Sequence, residues 1–320
     1  MRFCRFAAHL NVSQMKTGFS LIIAVGGAYL ATLSSGIAQL WTATSVPSNN
    51  WLSVAVSQDG SKLIAGGSRY VYSSTNHGIS WKSNSLPVLN WQSVACSADG
   101  SVLAAAASDI VGGIYCSTNA AADWWHANAP SSAWRGMAMS TDGSKLVAVS
   151  AVGPIYTSSD FGVTWRSNSA PIAHWYSVAS SADGSKLAAA SRSVGIYSST
   201  NSGTNWTQTS APLGTWNSIA SSSDGSKLIA VIFGGRIYTS TNYGLTWNTN
   251  AVPANSSWYA VASSVDGGRL AVAGSKSPMQ SSTNSGANWS SMNPPNKSWA
   301  SVATSGDGSM LAAAYTGGTN

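Results

Sequence analysis

Glutamate is missing from this 320-residue chain, and only 8% of the residues carry charge. The 10 acids are all aspartates, and seven of them recur at one place in a repeat: Asp59, Asp99, Asp142, Asp183, Asp224, Asp266 and Asp307. Asp123 and Asp160 belong to a second recurring turn, which leaves Asp109 by itself. Glycoside hydrolysis works with two carboxylates roughly 5–10 Å apart, and aspartates tied to tight turns are poor material for that pair. Cysteine is scarce too. Beyond Cys4 there are Cys96 and Cys116, on the first and third strands of one repeat. A disulfide and a pair of free, half-buried thiols both stand as readings, because strand-to-strand reach is not written in the sequence. His77, His126 and His174 lie in three different repeats, without metal-ligand spacing. No serine stands out with a His–Asp constellation, and the glycines form no phosphate loop. No metal, no cofactor and no enzymatic activity are therefore expected. The longest apolar run, Phe19 to Leu33, is short and broken by glycine, so no stable membrane span is expected.

Tryptophan, by contrast, is abundant, with 15 copies. One set, Trp51, Trp91, Trp134, Trp175, Trp216, Trp258 and Trp299, is spaced by 40, 43, 41, 41, 42 and 41 residues. A second set, Trp41, Trp81, Trp124, Trp165, Trp206, Trp247 and Trp289, precedes it by 10 residues, or 11 in one case. Only Trp125 stands outside this order. The unit from Trp216 to Trp247 reads as four short strands: 218–222, 227–232, 237–241 and 246–250. Asp224-Gly225 turns the first hairpin, since Asp-Gly supplies the positive φ that tight hairpins need. A 3.6-residue apolar period is absent, and Ser, Thr, Asn and Gly punctuate every stretch. One such meander has two apolar faces and cannot bury them alone, so copies must stack. The spacing predicts an all-β, seven-bladed β-propeller of four-stranded antiparallel blades, the last incomplete.

The turn before the second-set tryptophans reads Ser-x-Asn/Asp-x-Gly-x-x-Trp. It occurs as Ser74-Asn76-Gly78-Trp81, Ser158-Asp160-Gly162-Trp165, Ser199-Asn201-Gly203-Trp206, Ser240-Asn242-Gly244-Trp247 and Ser282-Asn284-Gly286-Trp289. The second repeat departs from it as Ser117-Asn119-Ala121-Trp124, with Ala121 in the glycine place, which implies a strained or reshaped turn. This pattern resembles the Asp-box, or BNR repeat, of sialidase-superfamily β-propellers, and is similar to the repeats of photosystem II assembly-factor propellers. The resemblance covers Trp41 to about Leu311. It implies that the boxes are scaffold, away from the active face. Sialidases use a tyrosine–glutamate pair, an aspartate and three arginines, the first in an Arg-Ile-Pro motif. Neither glutamate nor Arg-Ile-Pro occurs here, so the activity does not carry over.

Residues 1–38 read as a leader. Met15-Lys16 starts a basic region, an apolar stretch follows, and Gly36-Ile37-Ala38 offers a small-x-small cleavage site, with Met15 as the start. The rival reading is a degenerate repeat, since Ser20–Trp41 aligns without gaps to Ser226–Trp247. Residues 39–320 then form a single propeller domain. Loss of Arg2, Arg5 and Lys16 leaves 13 basic residues against 10 acids, a net +3, too small to imply nucleic acid. The polar, weakly charged surface suits a secreted, periplasmic or cell-envelope protein, and a monomer is expected. The sequons at Asn205, Asn255, Asn288 and Asn296 matter only in a glycosylating compartment. The seventh repeat stops after two strands. Leu40–Val46 matches a fourth strand, which leaves the third expected to be missing.

Recognition is the function that remains. Strand direction puts the Asp-Gly hairpins and the boxes on one face. The opposite face collects loops and connections whose residues differ between repeats. The candidate ligand-binding residues there are Arg69, Arg135, His174, Tyr176, Arg192, Arg236, Tyr259 and Lys276. Aromatic and mildly basic, they suit a protein loop or a carbohydrate. The expectation is a non-enzymatic binding or scaffold module with a protein or carbohydrate ligand. A lectin-like protein is the alternative, and a glycoside hydrolase or a membrane-complex assembly factor stands further back. The first-set tryptophans are read as packing between blades rather than as sugar platforms.

Overall fold

The structure, a computed structural model, describes residues 28–32, 41–109, 111–250, 257–275 and 279–317. The expected unit is present. Trp216–Ser221, Leu228–Ile232, Ile237–Ser240 and Asn248–Thr249 form an antiparallel sheet in that order. The second strand of each unit is buried along almost its whole length, as in Leu103–Ala107 and Leu146–Ser150. It is covered on both faces, which is why it reads as a continuous apolar run rather than an alternating one. The core accordingly sits between repeats. One cluster joins Ala104, Ala106 and Ile114 of the second repeat to Trp134, Met137 and Leu146 of the third. All seven first-set tryptophans are fully buried at such junctions. Six of them meet a tyrosine of their own repeat edge-on, with centroids 5.1–5.7 Å apart. In the sixth repeat Gln280 takes the tyrosine's place.

Each Asp-Gly hairpin is locked by its own side chains. Ser57 Oγ donates to Asp59 Oδ1 at 2.6 Å and accepts from the Lys62 amide at 2.9 Å. Asp59 Oδ1 also accepts from the Ser61 amide at 2.9 Å, while Gly60 takes φ +77°. The same serine–aspartate pair recurs at Asp99, Asp142, Asp183, Asp224, Asp266 and Asp307.

Two sets of bonds tie repeat to repeat. Next to the hairpins, seven backbone bonds form a closed ring. Gln58 N–H donates to the Ala98 carbonyl, Ala98 to Thr141, Thr141 to Ala182, Ala182 to Ser223, Ser223 to Val265, Val265 to Gly306, and Gly306 back to Gln58, each at 2.7–2.8 Å. Farther along the first strands, beyond the bulge that follows each first-set tryptophan, one amide in each of five repeats is turned towards the preceding repeat. A serine of the preceding repeat accepts from it. The pairs are Ser301–Val54, Ser53–Val94, Ser93–Met137, Ser177–Ile219 and Ser218–Val261, at 3.0–3.2 Å. Gly136 and Ala260 occupy the serine place in the other two repeats. A Cβ on Gly136 would lie 3.1 Å from Ser177 Cα and 3.2 Å from the Tyr176 carbonyl, so glycine there lets the third and fourth repeats approach closely.

Two expectations are corrected. The seven repeats do not make seven blades. They form six sheets, five of four strands and one of eight, so the propeller has six blades. The fusion has a local cause. Ser275, at the end of the sixth repeat's second strand, pairs with Ser298, the start of the seventh repeat's first strand, and their hydroxyls lie 3.1 Å apart. Nor is the third strand of the last repeat missing. Ala28–Thr32 pairs antiparallel with Met310–Thr316, and Thr42–Ala43 pairs with Ala28–Thr32 in turn. Trp41 packs 5.8 Å from Trp299, as Trp165 packs on Trp134 and Trp247 on Trp216. The rest of the expected leader lies outside the described residues.

The second-repeat turn keeps the shape of its neighbours. Ala121 N–H donates to Ser117 Oγ at 3.1 Å and Asp123 N–H to Asn119 Oδ1 at 2.9 Å, with Ala121 held at φ +69°. The strain is accepted and the turn is not reshaped. Cys96 and Cys116 are unbridged, and burial pushes both thiols up to about 12, so neither is a reactive thiolate.

Candidate functional site

The strand ends opposite the hairpins bring three of the expected site residues together. Arg135 and Tyr176 each follow a first-set tryptophan, in adjacent repeats, at the junction where Gly136 permits close approach. Arg192 comes from the loop between the second and third strands of the fourth repeat. Its guanidinium carbon lies 3.6 Å from the centroid of the Tyr176 ring, and that of Arg135 lies 6.0 Å away. Stacking of this kind contributes about 0.5–2 kcal/mol and fixes the plane of the cation.

Asn217 holds the arrangement from below. Its Oδ1 accepts from Arg192 Nη2 at 2.6 Å, and its Nδ2 donates to the Trp258 carbonyl at 2.8 Å. It is 2% exposed, so both ends of a buried carboxamide are satisfied. Asn217 follows a first-set tryptophan, as Arg135, Tyr176 and Tyr259 do, but it is not among the expected site residues. Its signal was a carboxamide where a buried strand begins. The remaining residues are distributed as follows. His174 is exposed and joins through its backbone, its carbonyl accepting from Arg192 N–H at 3.0 Å and Ser191 Oγ at 2.9 Å. Tyr259 packs 5.7 Å from Phe233, whose ring is exposed. Arg69 sits elsewhere, its guanidinium 5.8 Å from the Tyr70 ring. Arg236 is exposed in its own loop, and Lys276 lies outside the described residues.

Carboxylates are already committed. Asp109 Oδ2 accepts from the Asn90 amide at 2.6 Å, and Asp123 is held in the second-repeat turn by Asn119. The hairpin aspartates lie at the other end of the strands. The Ser57 hydroxyl and then the Ser61 amide hold Asp59 down to about 2, and the Ser101 amide with the Ser97 hydroxyl does the same for Asp99. Among the described residues no three His, Cys, Asp or Glu side chains are grouped so as to hold a metal. No described helix is long and apolar enough to cross a membrane. The arrangement offers one fixed cationic fork, that of Arg192, with a second arginine near the same aromatic face, which suits binding of a carboxylate-bearing ligand.

The fold defines the class: the protein is a β-propeller built from sequence repeats. No protein-family model and no curated protein matches the chain. Solved structures do. YCF48 from Cyanidioschyzon merolae superimposes with a TM-score of 0.63 at 14% identity, over 84% of this chain and 97% of that one. A YCF48 bound to a D1 peptide gives 0.64 at 15% identity, over 95% and 100%. The GH74 enzyme of Niastella koreensis gives 0.64 at 20% identity, over 89% of this chain but 46% of that one, so this chain spans less than half of that enzyme. At such identities the likeness is one of fold.

Proposed function

We propose that the protein is a non-enzymatic binding module and that its ligand is an acidic peptide segment of a partner protein. The observation that carries this reading is the Arg135–Tyr176–Arg192 stack anchored on Asn217. Arg192 is already oriented by its ring and its carboxamide, so little side-chain freedom is lost when a carboxylate takes the remaining donors of the fork. A ligand-bearing solved neighbour of this fold carries a peptide, which makes an extended chain a reasonable occupant. The first-set tryptophans are buried and offer no ring to a sugar. We also read the Ser-x-Asn/Asp-x-Gly turns as Asp-boxes with a purely structural role, and the protein as one exported to the envelope or medium. The test is fluorescence anisotropy with labelled Asp/Glu-rich peptides and their amide (Asn/Gln) counterparts. Saturable binding of the acidic set, weakened at least tenfold by Arg192→Ala and by Tyr176→Leu, is expected. Equal binding of the amide counterparts, or indifference to both substitutions, overturns the proposal.

A further inference from the structure

The second recurring turn leaves a different kind of space at one junction. Between the third and fourth repeats, toward the hairpin face, lies a cavity of about 460 Å³, lined by Lys145, Thr157, Arg166, Asn168, Ser202 and their neighbours. The corresponding spaces at the next two junctions are only about 10 Å³. Their closure is visible in the side chains. At the first of them Tyr243 occupies the turn position that Ser202 holds here, and Lys186 Nζ lies 5.6 Å from its ring. At the second, Lys227 Nζ reaches Ser285 Oγ at 3.2 Å. Here Lys145 Nζ donates to the Asp183 carbonyl at 2.8 Å, as Lys227 does to the Asp266 carbonyl at 2.9 Å, but it makes no bond to Ser202, and Ser202 lacks the ring that Tyr243 brings to the first junction.

The lining is rich in donors. Arg166 stands where the next two repeats have Thr207 and Asn248. Asn168 Oδ1 accepts from Thr157 Oγ1 at 3.3 Å, but its buried Nδ2 has no partner. A buried amide donor without an acceptor costs about 1–3 kcal/mol, and a ligand oxygen would relieve it. No carboxylate lines the cavity. Its volume falls within the range of small-molecule sites.

We infer that the cavity between the third and fourth repeats is a second binding site, for a small hydroxylated anion of the uronic-acid class. The carboxylate faces Arg166 and Lys145, and the ring hydroxyls face Asn168 Nδ2 and the serine and threonine hydroxyls. This site is independent of the arginine–tyrosine stack at the other end of the strands. Isothermal titration of the full chain with galacturonic acid, galactose and inorganic sulfate tests it. One equivalent of galacturonic acid is expected to bind, with galactose and sulfate each at least tenfold weaker. Arg166→Ala, an exposed position, should weaken binding at least tenfold. So should Ser202→Tyr, which copies the filled turn of the next repeat. Lys82→Ala, the equivalent exposed position of the first repeat, should leave it unchanged. No binding of galacturonic acid, equal affinity for sulfate alone, or full affinity in Ser202→Tyr would refute the inference.

Discussion

Substituting Ser93 by alanine isolates one link between repeats. Ser93 is 7% exposed, and its Oγ accepts from the Met137 amide of the next repeat at 3.0 Å. That amide belongs to the first strand, which lies at the edge of its sheet and has no partner strand of its own sheet on that side. Alanine removes the acceptor and leaves a buried N–H without a partner. The lost bond and the desolvated donor together cost about 1–3 kcal/mol. Removal of a hydroxyl leaves little new cavity, so the packing contribution is small beside this. An exposed control, Ser131→Ala, touches no such bond and should stay within about 0.5 kcal/mol of the parent. Equilibrium urea unfolding, followed by tryptophan fluorescence, reads the difference as a lower midpoint at unchanged slope. Repeat arrays can unfold in stages, so coincidence with the far-ultraviolet signal has to be checked first. A Ser93→Ala protein as stable as the Ser131→Ala control would show that the inter-repeat serines do not stabilise the stack.

Acid should loosen the hairpin face. The folded carboxylates of Asp59, Asp99 and Asp224 are held at about 2, below their ordinary 3.8. Their stabilisation is therefore complete above pH ~4 and is lost as pH falls towards ~2. A thermal midpoint that stays flat from pH 7 to 5 and declines below 4 is expected, and a flat profile down to pH 2 would contradict it. Gly162→Ala places a Cβ 2.6 Å from Cys116 Sγ at φ +88°, and a loss of about 1–2 kcal/mol in chemical unfolding should follow. At Ala121 that left-handed strain is already present, and glycine there exchanges strain relief for a buried methyl, so Ala121→Gly should shift stability by less than about 1 kcal/mol. A chain of residues 39–320 lacks Ala28–Thr32 and exposes the edge of Met310–Thr316. It should melt at a lower temperature than one beginning at Met15, and show more concentration-dependent association in sedimentation.

The tryptophan and Asp-Gly periods made the strands and hairpins legible, because each is a local device repeated at a fixed interval. Arg135 and Tyr176 were legible as neighbours for a related reason: the same repeat position in neighbouring copies must be adjacent. Arg69 and Arg236 were not separable from them by sequence, since equivalent loops are carried around the axis and only adjacent ones meet. Arg192 joined because its loop leans on Tyr176, and Asn217 was missed because its importance lies in two hydrogen bonds to groups from other repeats. The blade count failed on a single pairing, Ser275 with Ser298, which no periodicity encodes. The closing strand was hidden because Ala28–Thr32 carries none of the turn residues that mark other third strands, and its apolar character reads equally well as a leader.

The ring of amides beside the hairpins also has an electrical consequence. In a helix, peptide dipoles align head to tail and add up along an axis, leaving partial charge at each end. Around this ring they point head to tail along a closed circuit, from Gln58 through the repeats and back from Gly306, so their in-plane sum largely cancels. The ring thus has neither a positive nor a negative terminus, and it contributes cohesion without building an ion trap at the mouth of the axis. Charge selectivity in this propeller is left to individual side chains, and a change at one repeat can retune one junction without disturbing the others.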